Sequence, residues 1–388
     1  MKKSDTAYTK KKNVAIIVST LNRGGAERVA ANMSIEFAKY YNVFLIVHDA
    51  EEIAYPYAGH LIDLHLPPAA GVFGKVMTLL KRVYRVRKIK KENHIQFTIS
   101  HLPMCNYVNV FSRYRDQVIT YVHTMEIPTR GTKIRERLIA ACSDVMVCVS
   151  ECVRLNMARN FGISEKKLKT IYNFCDMTVD LPQKSENRIG AEIISMGRFV
   201  EQKGQWHLIR AMKKVTEKCP DAHLTLLGEG NLRDTFEKLI ARLGLQGAID
   251  MPGYLKDPHL KIAEADIYAN PAEAEGLPMA LIEAGNCGLP IISTDCDAGC
   301  REILAPDTPV DFKTKDVELA TYGILVPVCT DHNFENLKLC KEEEMLADGI
   351  IRLITDKSLA AHYSAKALER AVQFKPECIM NEWIELLQ

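Results

Sequence analysis

Two carboxylates with seven residues between them, Glu275 and Glu283, form the pattern with the most direct chemical meaning in this sequence. They lie in the segment EGLPMALIEAGNCG, in which Pro278 suits the first position of a helix and Gly288 the position just past its end. Because a helix N-terminus attracts anions, a carboxylate beside it would contact polar groups that the anion carries, such as the hydroxyls of a phosphate-linked sugar. The alternative is that both glutamates are solvated helix residues.

Basic residues and glycines follow other predicted strands of the same half of the chain. Gly197 and then Arg198 follow a predicted strand at 192–196, and Lys203 precedes the next predicted helix. Arginine can donate two parallel hydrogen bonds to a phosphate, and lysine acts as a point charge. Gly228 and Gly253 follow two further predicted strands. The recurrence of such strand ends predicts one shared ligand crevice for a diphosphate.

Gly24 and Gly25 connect a buried strand to a helix near the beginning of the chain, with the strand predicted at 14–19 and the helix at 27–40. A glycine loop in this position lets the main chain approach a phosphate or a sugar closely. The segment contains neither the dinucleotide fingerprint nor a P-loop. A plain turn is the other interpretation.

Two histidines end predicted strands of the first half, His101 after 97–100 and His123 after 118–121. Ligands of open α/β sheets bind at the carboxyl ends of strands. We select His123 as the site histidine and assign His101 a structural or peripheral role.

A basic amphipathic helix is predicted at 75–91. Its apolar residues at helical spacing are Val76, Leu79, Leu80, Val83 and Val86. Its basic candidates for contact with a membrane or an acceptor are Lys81, Arg82, Arg85 and Lys88. Such a helix can lie on an anionic membrane surface, or it can pack on the sheet with a solvated basic face; both interpretations stay open.

The alternation of strands and helices predicts an α/β fold with doubly wound parallel sheets. A chain of 388 residues exceeds the usual size of one hydrophobic core, so two domains are expected. The predicted organisation is a flexible basic tail at 1–13, a first domain at 14–176, a linker at 177–188, a second domain at 189–374 and a terminal helix at 375–388.

The amino-acid composition limits the classes of function that this chain can have. The chain is 47% apolar and 26% charged with a net charge of +1, which is typical of a soluble globular protein and gives no overall case for nucleic acid. No apolar run is long enough to span a membrane. Twelve scattered cysteines are expected to be free thiols in a reducing cytosol, and no metal site is expected.

Several of these motifs, in this order, resemble the retaining glycosyltransferases of family 4. In the first half the matching pieces are GGAERV at 24–29, YVH ending at His123, VSE at 149–151 and IYNF at 171–174. In the second half they are GRFVEQKG at 197–204, LLGEG at 226–230 and EGLPMALIEA at 275–284. The resemblance implies the GT-B fold, with two facing Rossmann-like domains and a deep cleft between them. GCREIL at 299–304 and GILVPV at 323–328 resemble the branch that builds bacterial surface polysaccharides and lipid-linked glycans.

The resemblance implies roles for the second-half residues. Arg198 and Lys203 would bind the donor diphosphate, Glu275 the sugar hydroxyls and Glu283 the ribose. The main chain that would meet the phosphate at the helix start comprises Gly276, Leu277, Pro278 and Met279. Where the family often has serine three residues before the first glutamate, this chain has Ala272, which removes one possible hydrogen bond.

In the first half the resemblance implies that Gly24 and Gly25 lie over the diphosphate and that His123 faces the reacting sugar or the acceptor. Sugar transfer in this family proceeds with retention, assisted by the leaving phosphate, so neither a protein base nor a metal is needed.

The expected function is transfer of a hexose or N-acetylhexosamine from a UDP-sugar to a lipid-linked glycan acceptor. The expected location is cytoplasmic, peripheral on the inner face of the cell membrane. The alternatives are a nucleotide-sugar epimerase of the same fold and a non-catalytic scaffold that binds sugar nucleotides.

Overall fold

The computed structural model describes residues 11–22, 24–176, 190–297 and 299–388. They divide into two compact units. The first unit contains the described residues up to Val149, together with Val153–Ile171 and Met380–Gln388; the second contains Ser150–Cys152 and the described part of Tyr172–Ile379. Residues 1–10 of the expected basic tail and the whole expected linker at 177–188 lie outside the described residues.

A parallel sheet forms the centre of the first unit. Its strands within the described residues are β1 (Asn13–Val18), β2 (Asn42–Val47), β3 (His60–Asp63), β4 (Phe97–His101), β5 (Gln117–Val122), β6 (Val145–Cys148) and β7 (Leu168–Thr170). Their spatial order is β3-β2-β1-β4-β5-β6-β7, with parallel neighbours throughout. Short apolar runs predict β1 to β6. They do not predict β7, whose three residues include a single apolar side chain, Leu168.

Helices cover this sheet. They include α1 (Gly25–Ala38), α2 (Val72–Glu92), α3 (Pro103–Phe111), α4 (Arg130–Cys142) and α5 (Glu151–Arg159). α2 packs against α3, and α3 against α4. α1 begins two residues earlier than the sequence predicts, because Gly25 is already helical. Gly24 is its N-cap residue and has an extended conformation.

The second unit has a sheet of the same design. Its described strands are β8 (Glu192–Met196), β9 (His223–Leu227), β10 (Ile249–Gly253), β11 (Ile267–Asn270), β12 (Ile291–Thr294), β13 (Glu318–Leu319) and β14 (Ile324–Val326). Their order is β10-β9-β8-β11-β12-β14-β13. Neighbours are parallel except β13, which pairs antiparallel with β14 at the edge. The predicted parallel α/β class is therefore confirmed in both units, with this one edge exception among the described strands.

The helices of the second unit enclose its core. They are α6 (Gln205–Lys218), α7 (Arg233–Leu243), α8 (His259–Glu264), α9 (Met279–Asn286), α10 (Cys300–Leu304), α11 (Lys341–Thr355) and α12 (Lys357–Val372). Trp206, Phe199 and Phe236 are fully buried in a core that also contains apolar residues of α11. Since burial of such side chains is the main favourable term of folding, this core fixes the positions at which β8 and β11 end.

The last helix, α13 (Pro376–Leu386), begins at the proline that the sequence marks as a break. Residues Met380–Gln388 belong to the first unit. There the buried ring of Trp383 packs edge-on against the rings of Phe37 and Tyr121, with centroid distances of 5.8 and 5.6 Å.

Candidate functional site

The loops that follow β8 and β11 bring together residues distant in the sequence. The two strands are neighbours in the sheet, so their carboxyl ends lie side by side. Lys203 Nζ lies 2.5 Å from Glu275 Oε1, and the two side chains are 24% and 11% exposed. An ammonium donor and a carboxylate acceptor thus meet at this end of the sheet, which is the arrangement expected for residues that bind a diphosphate and sugar hydroxyls.

Main-chain contacts hold the same two loops together. The Glu273 N–H donates to the Gln202 carbonyl at 3.0 Å, and the Gln202 side-chain amide donates to the Ala274 carbonyl at 2.8 Å. Gly204 has φ +60°, and a Cβ atom on it would lie 2.2 Å from the Pro271 carbonyl oxygen. The short turn that presents Lys203 can therefore sit against the Glu275 loop only with glycine at position 204. Sequence reasoning did not select Gln202 or Gly204, although both lie in the GRFVEQKG motif.

Arg198 is exposed directly beyond β8. Its carbonyl accepts a hydrogen bond of 3.1 Å from the side-chain amide of buried Gln205 at the start of α6. Among the described residues no carboxylate forms an ion pair with the Arg198 guanidinium, so this cation can bind an external anion.

The structure gives Gly228 and Gly253 a packing role. Gly228 has φ +139°, and a Cβ atom there would lie 2.0 Å from the Gly197 carbonyl oxygen, while Gly253 has φ +92°. Gly228 therefore keeps the ends of β8 and β9 close together, and the positive φ of Gly253 favours glycine at the end of β10. Their contact with a donor stays a prediction.

α9 carries the second carboxylate. The helix begins at Met279 with Pro278 as its N-cap residue, one position later than the sequence suggests. Gly288, with φ +68°, ends it in a Schellman motif, since the N–H groups of Gly288 and Leu289 donate to the carbonyls of Gly285 and Ala284.

Burial decides between the two interpretations of the paired glutamates. Glu283 is 2% exposed within α9, and the Glu275 side chain is largely buried in the preceding loop. Neither is a solvated helix residue. Charged side chains are seldom buried to this extent without a specific role. Next to them Gly276, Leu277 and Pro278 are buried and Met279 is half-buried.

A tyrosine that sequence reasoning missed lies close to both carboxylates. Tyr268, fully buried in β11, has a pKa far above its ordinary value, raised first by burial and further by the charges of Glu283 and Glu275. Its hydroxyl accepts a hydrogen bond of 3.2 Å from the Met196 N–H at the end of β8. Only its position two residues before the end of an apolar strand, in IYAN, could have indicated it. Ala272 is fully buried, and its carbonyl accepts from the Thr294 hydroxyl.

In the first unit the two strand-end histidines form a pair. His101 Nδ1 lies 2.8 Å from His123 Nε2, and the His123 ring lies 4.3 Å from the Tyr121 ring. Burial lowers the pKa of His123 to about 3, and burial followed by the neighbouring His123 lowers that of His101 well below its usual value. Both rings are therefore neutral near pH 7, and His101 orients His123. The direct contact gives His101 a more specific role than the sequence suggests.

The glycines Gly24 and Gly25 lie at the beginning of α1. Neither has positive φ, and a Cβ atom on Gly25 would meet no atom of the described residues within 4 Å. The packing around Gly25 therefore does not require glycine, which is consistent with a position that leaves room for a ligand.

The structure corrects the prediction for the basic helix. Arg82 is buried, and its Nε and Nη2 atoms donate to the Leu66 carbonyl; the Arg85 guanidinium donates to the Leu64 carbonyl. Arg82 is thus not a surface residue, whereas Lys81 and Lys88 are exposed. The predicted apolar face is also divided, because Val86 is buried while Val76 and Leu80 are exposed.

No group of three or more His, Cys, Asp and Glu side chains in the described ranges could hold a metal ion. None of the described helices is both long and apolar enough to cross a membrane.

Comparison with protein families gives two matches. The model "Glycosyl transferases group 1" matches residues 177–324, and the model "Glycosyltransferase Family 4" matches residues 23–179.

Two curated relatives extend these matches. An uncharacterized glycosyltransferase of Methanocaldococcus jannaschii is 31% identical over 80% of this chain and 83% of its own length. The N-acetylgalactosamine-N,N'-diacetylbacillosaminyl-diphospho-undecaprenol 4-alpha-N-acetylgalactosaminyltransferase of Campylobacter jejuni is 24% identical over 96% of this chain and 99% of its own length.

Among solved structures, Anabaena Alr3699/HepE in complex with UDP and glucose superposes with a TM-score of 0.74. It covers 97% of this chain and 99% of its own at 17% identity, a likeness that concerns the fold alone. The GT-B fold expected from the sequence resemblance is confirmed.

Proposed function

The chain belongs to the glycosyltransferases of group 1 and family 4, and we propose that it transfers a hexose or N-acetylhexosamine from a UDP-sugar, with retention, to a lipid-linked glycan acceptor. The observation that carries this proposal is the contact between Lys203 and Glu275 at the ends of β8 and β11. It combines a cation for a diphosphate with an acceptor for sugar hydroxyls in one small volume.

The donor side of the proposal follows from the chemistry of these groups. The Lys203 ammonium has three donors and no acceptor, whereas an ionised carboxylate only accepts, so a diphosphate would bind Lys203 and hydroxyl groups would bind Glu275. Arg198 adds a guanidinium without an ion-pair partner in the described part of the chain. Glu283 is assigned to the ribose. UDP as the nucleotide is supported by the Anabaena structure, which contains UDP and glucose.

The proposed mechanism uses the positive charge of Arg198 and Lys203 in place of a metal, and the leaving phosphate in place of a protein base. As the bond between sugar and phosphate breaks, negative charge grows on the leaving diphosphate, and Arg198 and Lys203 stabilise it. The leaving phosphate assists deprotonation of the acceptor on the same face of the sugar, which retains the anomeric configuration. His123 is neutral near pH 7, so it can donate or accept a hydrogen bond but carries no charge to the reaction. The proposal requires no metal.

The acceptor side is supported by relatives. The Campylobacter jejuni protein is named for a diphospho-undecaprenol acceptor, and an Escherichia coli relative for O-antigen biosynthesis. A lipid-linked acceptor implies work at the cytoplasmic, inner face of a membrane, where the exposed Lys81 and Lys88 of α2 can contact anionic lipids.

A donor panel tests the proposal. Release of UDP is measured from UDP-glucose, UDP-galactose, UDP-GlcNAc and UDP-GalNAc for the wild type, Lys203→Ala and Glu275→Gln. The exposed Glu201→Gln, in the same turn as Lys203, is the matched control. We expect slow hydrolysis of one donor, a loss of about a hundredfold or more in both site variants and little change in the control.

Two results would contradict it. Binding of a donor without release of UDP under any condition supports a scaffold. Conversion of the donor to its epimer, without transfer to an added acceptor, supports an epimerase.

A further inference from the structure

The hydrogen bond between His101 and His123 has two possible directions. His101 Nδ1 lies 2.8 Å from His123 Nε2, and the planes of the two rings differ by 24°. A neutral imidazole carries one proton, so one ring donates through this bond and the other accepts. The direction of the bond therefore decides which nitrogen of His123 carries a hydrogen that a ligand can meet.

The burial of His101 favours one direction. His101 is fully buried at the end of β4, and its second nitrogen, Nε2, has no hydrogen-bond partner among the described residues. If His123 donated, the proton of His101 would lie on this Nε2 and form a buried N–H group without an acceptor. Among backbone groups, a buried N–H without a partner is rarer than an acceptor without a donor. By the same preference, the proton of His101 belongs on Nδ1, where His123 accepts it.

The main chain next to His101 is held in a strained conformation. Leu102 has φ +73° and ψ 149°, values that are rare for residues other than glycine. It is the N-cap residue of α3, and its carbonyl accepts from the Asn106 N–H at 2.9 Å. Such strain persists only where the surrounding structure requires it, and it clusters at functional sites. The turn that begins at Leu102 thus fixes the end of β4 and the position of the His101 ring.

We propose that His101 is a positioning residue whose Nδ1–H donates to His123 Nε2 and so keeps the proton of His123 on Nδ1. The inference rests on the proposed function, which assigns His123 to the reacting sugar or the acceptor.

The consequence concerns the chemistry that His123 can perform. The His123 ring is half-buried, and in the described part of the chain it forms no hydrogen bond other than the one to His101. Its Nδ1–H is therefore available to a hydroxyl or ring oxygen of a sugar. His123 donates a hydrogen bond to the ligand and does not act as a base, because His101 occupies its unprotonated nitrogen.

The direct test is the tautomer of His123 in the protein without donor at pH 7. It is read from the ring ¹⁵N chemical shifts and their couplings to the ring protons, with His123→Gln used to assign the signals. We expect the proton on Nδ1, although a neutral histidine side chain in water prefers the Nε2–H form. His101→Leu removes the donor and should return His123 to that form.

His48→Leu is the matched control for this measurement. His48 is also buried and directly follows a strand, β2, but its Nε2 lies 3.8 Å from Cys105 Sγ and does not contact His123. The tautomer of His123 should be the same in this variant as in the wild type.

Kinetic measurements separate positioning from packing. His101→Leu should lower kcat/KM for donor hydrolysis by up to about tenfold, the usual effect of one hydrogen bond. His101→Asn keeps an amide N–H near the position of Nδ1 and should stay within about threefold of the wild type. In a His123→Phe background, where the accepting nitrogen is absent, His101→Leu should have no further effect.

Three results would overturn the proposal. The first is a wild-type His123 with its proton on Nε2, and the second is an unchanged His123 tautomer in His101→Leu. The third is an equal kinetic loss from His101→Leu with and without the His123 ring, which would leave His101 a packing role alone. The tautomer is measured without donor, so failure of the UDP-sugar proposal would appear separately as absent UDP release.

Discussion

At the scale of single residues, the buried ion pair of Lys90 and Asp116 has a large expected effect on stability. Both side chains have no solvent exposure, and Nζ lies 2.8 Å from Oδ2. Burial lowers the pKa of Lys90 to about 8, although Asp116 acts to raise it. Lys90→Met leaves a buried carboxylate without its cation and should lower the free energy of unfolding by about 3–5 kcal/mol, measured by urea denaturation.

Lys88→Met is the control for this variant. Lys88 lies in the same helix and pairs with Glu92 at 3.8 Å, but both side chains are mostly exposed. The expected change is below about 1 kcal/mol. Equal destabilisation by the two substitutions would contradict the role assigned to the buried pair.

The histidine pair makes a prediction about protonation. Because burial lowers the pKa of His123 to about 3 and that of His101 well below its usual value, both rings should stay neutral from about pH 5 to pH 8. Ring ¹⁵N chemical shifts measured across this range should show neutral imidazoles for both residues. A titration step of either ring near pH 6.5 would overturn the assignment.

Residue types were the most predictable part of the site. The glutamates, Arg198 and Lys203 could be selected because they follow predicted strands or lie at a predicted helix start, and because they match the motifs of the family. Tyr268, Gln202 and the pairing of His101 with His123 could not, since these depend on which strands become neighbours, and that order is set by tertiary packing.

At the scale of elements, the turn after β8 depends on Gly204. Gly204→Ala combines φ +60° with a Cβ atom 2.2 Å from the Pro271 carbonyl oxygen. Gly244→Ala is the matched control, because Gly244 has φ +68° and an added Cβ would meet no atom within 4 Å in the described part of the chain. Gly244→Ala should cost about 1 kcal/mol in unfolding free energy. Gly204→Ala should lower the unfolding free energy by more than Gly244→Ala does. It should also weaken donor binding, which calorimetric titration with UDP measures. Equal stability and UDP affinity in the two variants would contradict the packing argument.

A histidine of α6 contacts carboxylates of α11 and of the Glu275 loop, and this contact predicts that the free energy of unfolding depends on pH. His207 Nδ1 lies 2.7 Å from Glu343 Oε1, and its Nε2 lies 3.3 Å from Glu273 Oε1. Burial acts to lower the pKa of His207, but hydrogen bonds to these two glutamates outweigh it and raise the pKa.

The sign of the effect follows from this raised pKa. A folded-state pKa above the unfolded value gives stability that is fully present below about pH 6.5 and is lost as the pH rises through the raised pKa. The difference in unfolding free energy between the wild type and His207→Asn should therefore shrink as the pH rises from about 6 to about 9. A difference that does not vary with pH would contradict the assigned ion pairs.

Among the elements, long or apolar segments were predictable and short ones were not. The strands β1 to β6 follow from buried apolar runs, whereas β7 and β13 have three and two residues. Periodicity predicts that α2 is a helix but does not predict which of its residues are buried. Arg82, assigned to the solvated basic side, is buried and donates to a carbonyl, while Leu80, assigned to the apolar side, is exposed. Periodicity gives the faces of a helix but not which face meets the sheet.

At the scale of the whole molecule, the last helix contributes to the first unit. Trp383 is 1% exposed and contacts Phe37 and Tyr121. Trp383→Ala should destabilise the protein by about 3–5 kcal/mol in urea denaturation. Glu385→Ala, an exposed position in the same helix, should change it by less than about 0.5 kcal/mol. A small effect of Trp383→Ala would show that the terminal segment is not part of the core.

The retaining transfer of a sugar from UDP is the central claim, and the anomer of the released sugar tests it most directly. The donor that the panel identifies carries an α-linked sugar, and its slow hydrolysis is followed by ¹H NMR before mutarotation. Retention predicts that the α anomer appears first, and that Lys203→Ala abolishes its appearance. First appearance of the β anomer, or no release of sugar from any UDP donor, would contradict the account.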